Sequence, residues 1–302
     1  MKTLGIDIGG TNIKYGVIQC ELQIRNYKLK FKNSVKTEAS KDKEFIIKKI
    51  ISIIEKCKND YDINSIGIGV AGLVDYKKGI IFESPNLPDW KDINLKNELK
   101  VVNLPIFIDN DANCFAYGEY LLRNDKTIRN LIGITLGTGI GGGLIINGKL
   151  YHGNYGFAAE IGHIKVVPDG RRCNCGQNGC LEAYSSGFAI EKKSKEIFGE
   201  KIAVSSLYKM ALKDNRNAIE IFNEAFEKLG IVCAGLINLL NPDIIVFGGG
   251  LSNMREFLLI PVKKVIQKNC YKKLYEKVRI EVSQSDIDSG IIGAAYLLHS
   301  NK

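Results

Sequence analysis

Residues 4–19, LGIDIGGTNIKYGVIQ, contain two short apolar runs joined by a pair of glycines. Apolar runs of this length bounded by turn residues predict two β-strands, with Gly9 and Gly10 in the turn between them. A strand follows the glycines here, whereas the Walker A loop and the dinucleotide fingerprint both continue into a helix. Both of those nucleotide motifs are therefore excluded.

The turn nevertheless has the chemistry of a phosphate-binding loop. Its glycines let backbone N–H groups approach a phosphate closely, and Thr11 and Lys14 add further donors. Asp7 ends the first strand, where a magnesium ion would relieve its repulsion of phosphate oxygens. A hairpin with an incidental aspartate is the alternative that this stretch alone leaves open.

A similar pattern occupies residues 131–150, LIGITLGTGIGGGLIINGKL. An apolar strand is again followed by a turn with glycine and threonine and by a returning strand, after which Asn147-Gly148 predicts a tight hairpin. This weak internal repeat predicts two related halves, each bringing one phosphate-contacting hairpin to a shared cleft. The pair of hairpins is a more specific signal than either hairpin alone.

Apolar periodicity elsewhere predicts alternating helices and strands. Residues 43–57 place apolar side chains at helical spacing between lysines, which predicts an amphipathic helix that covers a sheet. In DIIVFGGGLS (243–252), a predicted strand is followed by three glycines that either lie flat against an adenosine or serve tight packing. The same reasoning predicts helices over 181–198, 204–213, 216–240 and 288–299 and from about residue 255, and strands over 65–72 and 278–282.

Polar side chains cluster where one predicted strand ends. PIFIDNDAN (105–113) places Asp109, Asn110 and Asp111 between an apolar strand and a helical pattern. Such a position at a strand carboxyl end is often catalytic in α/β proteins, although ordinary helix N-capping is the alternative. In the loop SPNLPDW (84–90), Asn86 offers both a donor and an acceptor, which a polyhydroxy ligand needs.

Residues 160–182, EIGHIKVVPDGRRCNCGQNGCLE, contain a candidate metal site. One imidazole and three thiolates are a ligand set for tetrahedral zinc, and four protein ligands leave no open position, so the zinc should be structural. Glu160 and Glu182 flank these residues, so a bound zinc would also fix where both carboxylates point. The four candidate ligands are His163, Cys173, Cys175 and Cys180.

The composition, 45% hydrophobic and 25% charged, is that of a globular protein. No segment approaches the roughly 20 apolar residues of a membrane helix, and the N-terminal residues lack a signal-peptide core, so we expect a cytoplasmic protein without membrane partners. The net charge of +9 comes from lysines spread along the chain, which does not indicate a nucleic-acid partner. The cysteines outside the cluster read as reduced thiols.

Taken together, these motifs resemble the ROK family of sugar kinases and sugar-responsive repressors over nearly the whole chain. The resemblance implies a two-domain α/β fold of the ribonuclease-H-like, actin/hexokinase ATPase type with a central cleft, and a homodimer. We place the small domain at residues 1–109 plus 289–302 and the large domain at 110–288. The motifs are DIGGTNIK (7–14), SPNLPDW (84–90), DNDAN (109–113), LGTGIGGG (136–143), EIGH (160–163), CNCGQNGCLE (173–182) and FGGGLS (247–252).

The resemblance also implies roles for individual residues. Asp111 is the expected general base, and Asp7 is a magnesium ligand on the strand argument above. Structural zinc is expected at the cluster already named. The expected sugar ligands are Asn86, Asn110, Glu160, His163 and Glu182, and the expected ATP contacts are Gly9, Gly10, Thr11, Asn12, Lys14, Gly137, Thr138, Gly139, Gly248 and Gly249.

The activity implied is transfer of the γ-phosphoryl group of ATP, with Mg²⁺, to the 6-hydroxyl of glucose. N-acetylmannosamine or N-acetylglucosamine kinase activity is the alternative, because the segments VVPDGRRCNCG and CLEAYSSG resemble both groups of enzymes. A non-catalytic sugar sensor is a third reading. The phosphate loop begins at Asp7 and leaves no room for a repressor's helix-turn-helix domain, which favours a kinase.

Overall fold

The glycine-rich stretch at the start of the chain folds as two antiparallel strands, as predicted. The structure is a computed structural model that describes residues 1–20, 27–284 and 286–300. The described strands are β1 (Lys2–Ile8), β2 (Asn12–Cys20), β3 (Tyr27–Lys36), β4 (Ser65–Val70), β5 (Leu73–Asp75), β6 (Ile80–Glu83), β7 (Lys91–Asn94), β8 (Ile106–Asn110), β9 (Leu131–Leu136), β10 (Ile140–Ile146), β11 (Lys149–Leu150), β12 (Ile244–Gly248) and β13 (Arg279–Val282).

The helices alternate with these strands, which confirms the predicted α/β class. Short 3-10 helices cover Lys100–Val102, Ile161–His163 and Gly250–Met254. The described α-helices are α1 (Lys43–Tyr61), α2 (Leu95–Glu98), α3 (Asp111–Arg123), α4 (Glu182–Ser185), α5 (Gly187–Phe198), α6 (Val204–Ala211), α7 (Arg216–Leu240), α8 (Glu256–Asn269), α9 (Lys272–Tyr275) and α10 (Asp286–Ser300). None of them combines the length and apolar character needed to cross a bilayer.

The chain divides into two compact units. Unit 1 comprises the described parts of 1–126, 143–159 and 285–302, and unit 2 comprises 127–142 and 160–284. These limits differ from the predicted domains: the sequence assigns α3 to the second domain, whereas α3 packs against α10 within unit 1. Residues 301 and 302, which end the predicted small domain, lie outside the described residues.

Unit 1 is built on a five-stranded sheet of order β3-β2-β1-β4-β8. Strand β1 is antiparallel to β2 and parallel to β4, and β4 is parallel to β8. Asp7 lies opposite Gly69, and Gly69 lies opposite Asp109. The carboxyl ends of three parallel strands therefore share one edge of the sheet, where polar residues from separate motifs are brought together.

Helix α10 packs on this sheet and on α3 through glycines that allow backbone contact. An ideal Cβ at Gly67 would lie 1.7 Å from the Ala294 carbonyl oxygen, and one at Gly293 would lie 1.7 Å from that of Cys114. Both separations are far below van der Waals contact. The Gly- and Ala-rich composition of 288–299 predicts this close packing, and the structure confirms it.

A small antiparallel sheet of order β5-β6-β7 also belongs to unit 1 and is missing from the sequence prediction. Its strands, LVD, IIFE and KDIN, are only three or four residues long, too short for an apolar alternation to identify them. The ordered loop SPNLPDW lies between β6 and β7. Strand pairing with neighbours, not local sequence, stabilises such short strands.

Unit 2 contains the parallel strands β9, β12 and β13, with Ile244 of β12 opposite Leu131 and Arg279. The rings of Phe222 and Phe226 stack within α7, and Phe257 of α8 meets both edge-on. Aromatic pairs of this geometry bury large apolar areas. They place α7 and α8 together on the core of the unit.

The predicted single helix over 181–198 is wrong in one respect, because Ser186 divides it into α4 and α5. Ser186 has extended backbone angles, φ −77° and ψ 160°, and its side chain accepts a hydrogen bond from the Ala189 N–H group. Serine is a favoured N-cap because its oxygen replaces the missing acceptor at a helix start. The apolar periodicity continues across the break, so it does not reveal the cap.

Two further sequence predictions are borne out. Asn147 and Gly148 have φ values of 52° and 80°, as a type I′ hairpin turn requires. The seven cysteines with described side chains are free thiols, and three of them form the predicted cluster. The side chain of Cys20 lies outside the described residues.

The α10 contact can be tested with two helical glycines that differ only in the space around them. Gly293→Ala should lower the free energy of unfolding by about 1–3 kcal/mol or more, because the new methyl group overlaps the Cys114 carbonyl. Gly235→Ala in α7 meets no atom within 4 Å and should be neutral or stabilising by about 1 kcal/mol. Thermal and urea unfolding of both variants measures the difference. Equal stabilities would show that α10 packs less tightly than described.

Candidate active site

The turn between β1 and β2 is fixed by one hydrogen bond within the hairpin and by two from Thr37, which lies outside it. Gly9 N–H donates to the Asn12 carbonyl at 3.1 Å, which closes the turn. Thr37 donates through its backbone N–H to the Thr11 carbonyl at 2.9 Å and through its hydroxyl to the Gly9 carbonyl at 2.6 Å. The sequence gives no signal for Thr37, because it lies beyond the end of β3. It holds the predicted phosphate turn in one shape.

Two predicted site residues meet at this turn. An ideal Cβ at Gly10 would lie 3.0 Å from the Cβ atom of Asn86, so the absence of a side chain lets the SPNLPDW loop approach. Lys14 lies directly opposite Asp7 in the antiparallel pair. The structure therefore brings the predicted phosphate contacts and one predicted sugar ligand together within unit 1.

Three carboxylates converge on one edge of the unit 1 sheet. Burial raises the pKa of Asp7, and Lys14 opposes that shift. Burial also raises the pKa of the Cys114 thiol well above its ordinary value, with further increases from the charges of Asp109, Asp7 and Asp111. Several negative charges near one buried thiol give this edge a negative potential. A divalent cation of the kind predicted at Asp7 would offset it.

Asn110 is the N-cap of α3, which is the alternative that the sequence left open for its motif. Its Oδ1 accepts hydrogen bonds from the N–H groups of Ala112 at 2.8 Å and Asn113 at 3.2 Å, and its Nδ2 donates to the Gly72 carbonyl at 2.9 Å. An amide nitrogen carries two hydrogens, so at most one is left for a ligand. Asp111 follows as the first residue of α3, with Oδ1 accepting the Ala112 N–H at 2.9 Å.

Asp109 has a partner that the sequence does not reveal. Its carboxylate is buried, and its Oδ2 lies 2.6 Å from Nε2 of His152. His152 is one of three histidines in the chain and stacks on Tyr76 with ring centroids 3.8 Å apart. No spacing rule links residues 109 and 152. Only the folded chain brings them together.

In unit 2, the predicted zinc ligands lie close together. One ligand atom from each of His163, Cys173, Cys175 and Cys180 lies within 4.8 Å of every other. The Sγ atoms of Cys175 and Cys180 are 3.7 Å apart. Two zinc–sulfur bonds of about 2.3 Å at a tetrahedral angle place the sulfurs about 3.8 Å apart. The donor set and its spacing therefore fit zinc.

The two ring nitrogens of His163 face different groups. Nδ1 lies 3.8 Å from Cys173 Sγ, inside the cluster, and Nε2 lies 3.9 Å from Glu160 Oε2. Burial raises the pKa of the Cys173 thiol to about 12, so three thiolates here require a bound cation to balance them. Metal ligation at Nδ1 would leave Nε2 as an N–H donor that points away from the metal.

The cysteine loop is anchored to the rest of unit 2 by charged side chains. Arg171 donates to both carboxylate oxygens of Glu224 on α7 at 2.8 Å and lies over the Tyr184 ring. Lys165 Nζ lies 3.3 Å from Cys180 Sγ, where its positive charge offsets the excess negative charge of a zinc site with three thiolates. Both hydrogen bonds come from one guanidinium nitrogen of Arg171, and hydrogen bonds between ionised groups are stronger than those between neutral groups.

Glu182 connects the end of this loop to the second glycine turn. Its Oε2 accepts the Ile140 N–H at 2.9 Å, and an ideal Cβ at Gly139 would lie 2.6 Å from that oxygen. Glu160 keeps 42% of its side chain exposed. Burial of the remainder raises the pKa of Glu160; the nearby His163 opposes this shift, and Glu182 adds to it. One carboxylate oxygen of Glu182 is therefore used by the fold, whereas the Glu160 carboxylate is partly exposed to solvent.

The second turn is further held by the start of α5. Gly187 N–H donates to the Gly137 carbonyl at 2.8 Å, and Phe188 N–H donates to that of Thr138 at 3.3 Å. An ideal Cβ at Gly137 would meet nothing within 4 Å, so the fold itself does not require glycine at this position. A ligand that approaches the backbone is one reason for glycine there.

Among the glycines at the end of β12, Gly249 has a packing explanation. Gly249 has a φ of 79°, and an ideal Cβ on it would lie 2.5 Å from the Leu136 carbonyl oxygen. Gly248 ends β12 opposite Thr135. The tight-packing alternative thus accounts for Gly249 without a nucleotide.

Comparison with known proteins extends over the whole chain. A model of the ROK family matches residues 3–301. Among curated proteins, a glucokinase of Thermotoga maritima is 32% identical over 99% of this chain and 97% of its own, and an N-acetylmannosamine kinase of Vibrio vulnificus is 34% identical over 98% and 97%. A solved ROK family glucokinase of Streptomyces griseus, in complex with glucose and AMPPNP, has a TM-score of 0.84 at 33% identity and covers 98% of this chain and 99% of that one.

A substitution at Gly137 tests whether this glycine is needed for nucleotide binding or for the stability of the fold. Gly137→Ala should leave the melting temperature unchanged, since the methyl group enters open space. If a nucleotide phosphate approaches this backbone, the same variant should raise the KM for ATP about tenfold, through loss of close approach. Differential scanning fluorimetry and initial-rate kinetics measure the two effects. An unchanged KM for ATP would remove this turn from the nucleotide site.

Proposed function

The chain belongs to the ROK family, and we propose that within it the protein is an ATP-dependent glucokinase that phosphorylates the 6-hydroxyl of glucose. The observation that carries this proposal is the full-length similarity to a glucokinase solved with glucose and AMPPNP. Full-length glucokinase and N-acetylmannosamine kinase relatives support sugar kinase activity. The fold alone would not suffice, because one fold hosts many functions.

Asp111 is our candidate for the general base. It lies at the carboxyl end of β8, at the edge where the carboxylates of unit 1 converge. Phosphoryl transfer depends mainly on positioning and charge neutralisation, and a carboxylate assists as the sugar hydroxyl becomes acidic in the transition state. Asp111 would accept that proton while its neighbours hold the turn in place.

Two glycine turns, residues 9–12 and 137–139, are our candidates for the triphosphate contacts. Backbone N–H groups and Lys14 would bind phosphate oxygens, and Asp7 would bind a magnesium ion. When bound, Mg²⁺ neutralises charge that develops on the phosphate oxygens. We retain Gly248 and Gly249 as nucleotide contacts only as a weaker part of the proposal, since packing explains Gly249.

For the sugar, the proposal uses groups that the fold leaves partly available. His163 would donate from Nε2, and Glu160 and Glu182 would accept sugar hydroxyls. Asn86 and the second hydrogen of Asn110 Nδ2 would complete the hydrogen bonds. Zinc bound by His163 and the three cysteines would be structural, since four protein ligands leave no position for substrate.

The identity of the hexose is the finer part of the proposal. Glucokinases and N-acetylmannosamine kinases match the chain at nearly the same identity, so similarity alone does not separate them. Glucose is our first choice, because the Streptomyces griseus glucokinase, which is 33% identical and covers 98% of this chain, was solved with glucose. N-acetylmannosamine or N-acetylglucosamine is the alternative, and these sugars differ from glucose mainly at C2. We further propose a homodimer in the cytoplasm, on the family resemblance.

An ATP-coupled assay over several sugars tests the activity. We expect kcat/KM to be highest for glucose among glucose, mannose, fructose, N-acetylglucosamine and N-acetylmannosamine. Asp111→Asn should lower kcat by at least about a hundredfold, the low end for loss of a general base. Higher kcat/KM for N-acetylmannosamine would replace glucose with the alternative. No turnover with any sugar would favour a non-catalytic sensor, and near-normal turnover by Asp111→Asn would exclude this base.

Zinc binding is tested by removing one ligand and comparing it with a cysteine outside the cluster. Cys175→Ser should lose bound zinc, measured by mass spectrometry of metals. It should also raise the KM for the sugar, because Glu160, His163 and Glu182 lose their orientation. Cys270→Ser removes a half-exposed thiol elsewhere in unit 2 and should keep full metal content. Full activity of a metal-free Cys175→Ser variant would contradict a structural role for zinc.

A further inference from the structure

His152 occupies a buried position in unit 1 to which the proposed reaction assigns no role. It is 6% exposed, and its ring lies nearly parallel to that of Tyr76, at an interplanar angle of 11°. Its Nε2 lies 2.6 Å from Asp109 Oδ2. An ionised carboxylate only accepts hydrogen bonds, so Nε2 carries the hydrogen and donates it. Removing either partner would leave a buried polar group unpaired.

Asp109 also forms hydrogen bonds to the turn that contains the proposed base. Its Oδ1 accepts the Asn110 N–H at 2.7 Å and the Asn113 Nδ2 at 2.9 Å. The carboxylate thereby joins the N–H group of Asn110, the residue before Asp111, to the first turn of the helix that Asp111 begins. With donors on both oxygens and 2% exposure, Asp109 is a support and not a ligand.

The imidazole itself is enclosed by the surrounding chain. The His152 carbonyl accepts the Ala158 N–H at 3.2 Å, which closes the loop that follows β11. Gly156 in that loop has a φ of 95°, and an ideal Cβ there would lie 3.2 Å from Cδ1 of Tyr76. The loop and the β5–β6 hairpin therefore enclose the stacked rings. This leaves His152 one orientation, with Nε2 towards Asp109.

We propose that His152 is a positioning residue for phosphoryl transfer, a role that rests on the proposed function. Through Asp109 it fixes the turn at residues 109–111 and hence the direction of the Asp111 carboxylate. A base must lie within hydrogen-bonding reach of the proton it accepts, and misplacement by about 1 Å costs about a hundredfold in rate. His152 acts on the base and not on a substrate, so its loss lowers kcat and leaves both KM values close to normal.

Two substitutions separate the ring from its hydrogen bond. His152→Phe keeps a flat ring against Tyr76 and removes the donor, and it should lower kcat about tenfold to a hundredfold. His152→Gln keeps an N–H donor and should recover most of that loss. The KM values for sugar and ATP should stay within about threefold of wild type in both variants. Asp109→Asn removes the charged acceptor of the same contact and replaces His152→Phe if that variant does not fold.

A double-mutant cycle distinguishes positioning from general stabilisation. In an Asp111→Asn background, His152→Phe should cause no further fall in kcat, because the base that it positions is gone. Asp243→Asn is the matched control: this carboxylate caps the Arg129 and Asn130 N–H groups in unit 2 and should affect melting temperature without affecting kcat.

Each outcome of these measurements supports or overturns the role. A fall in kcat with steady KM values, rescue by His152→Gln and non-additivity with Asp111→Asn together support it. Unchanged kcat in His152→Phe, or an equal fall in the Asp111→Asn background, overturns it while leaving the proposed kinase intact. A wild-type protein without turnover on any sugar overturns the proposed function, and this role with it.

Discussion

The contact of helix α10 with the sheet of unit 1 is the constraint on which the rest of that unit depends. Backbone meets backbone there, because glycines stand where a methyl group would overlap a carbonyl oxygen. The same helix packs on α3, whose first residue is Asp111. Close packing transmits small displacements because protein interiors have few voids. The packing of α10 against α3 therefore helps to fix the position of the proposed base.

In unit 2, the candidate site residues are held in place by different contacts. Its candidate ligands lie on irregular segments with little regular secondary structure, where backbone hydrogen bonds alone would leave a mobile loop. The donor set of the cysteine loop, the Arg171–Glu224 pair and the Glu182 contact to the Ile140 N–H replace a packed helix as support. Local crosslinks of this kind suit a site whose side chains must stay partly exposed.

The sequence predicts the parts of this molecule that local physics determines. Apolar periodicity places α7 at its observed limits, and the Asn147-Gly148 dipeptide specifies its turn. The spacing of His163 and the three cysteines likewise predicts the cluster that the structure forms. The break at Ser186, the short strands β5–β7 and the Asp109–His152 contact are not predictable in this way. Each depends on partners distant in the chain, and a single sequence carries no record of those pairings.

Supporting residues differ from candidate ligands in how many of their hydrogen-bonding groups the fold already uses. Asp109 is buried with donors on both oxygens, so the fold accounts for it completely. Asn110 and Glu182 each spend part of their polar groups on backbone contacts, and His163 directs only one nitrogen into the cluster. A buried group left unpaired is costly, whereas capacity retained at an accessible position stays available to a ligand. By this criterion Asp109 holds the turn, and the carboxylate that we propose as the base is Asp111, two residues later in the same motif.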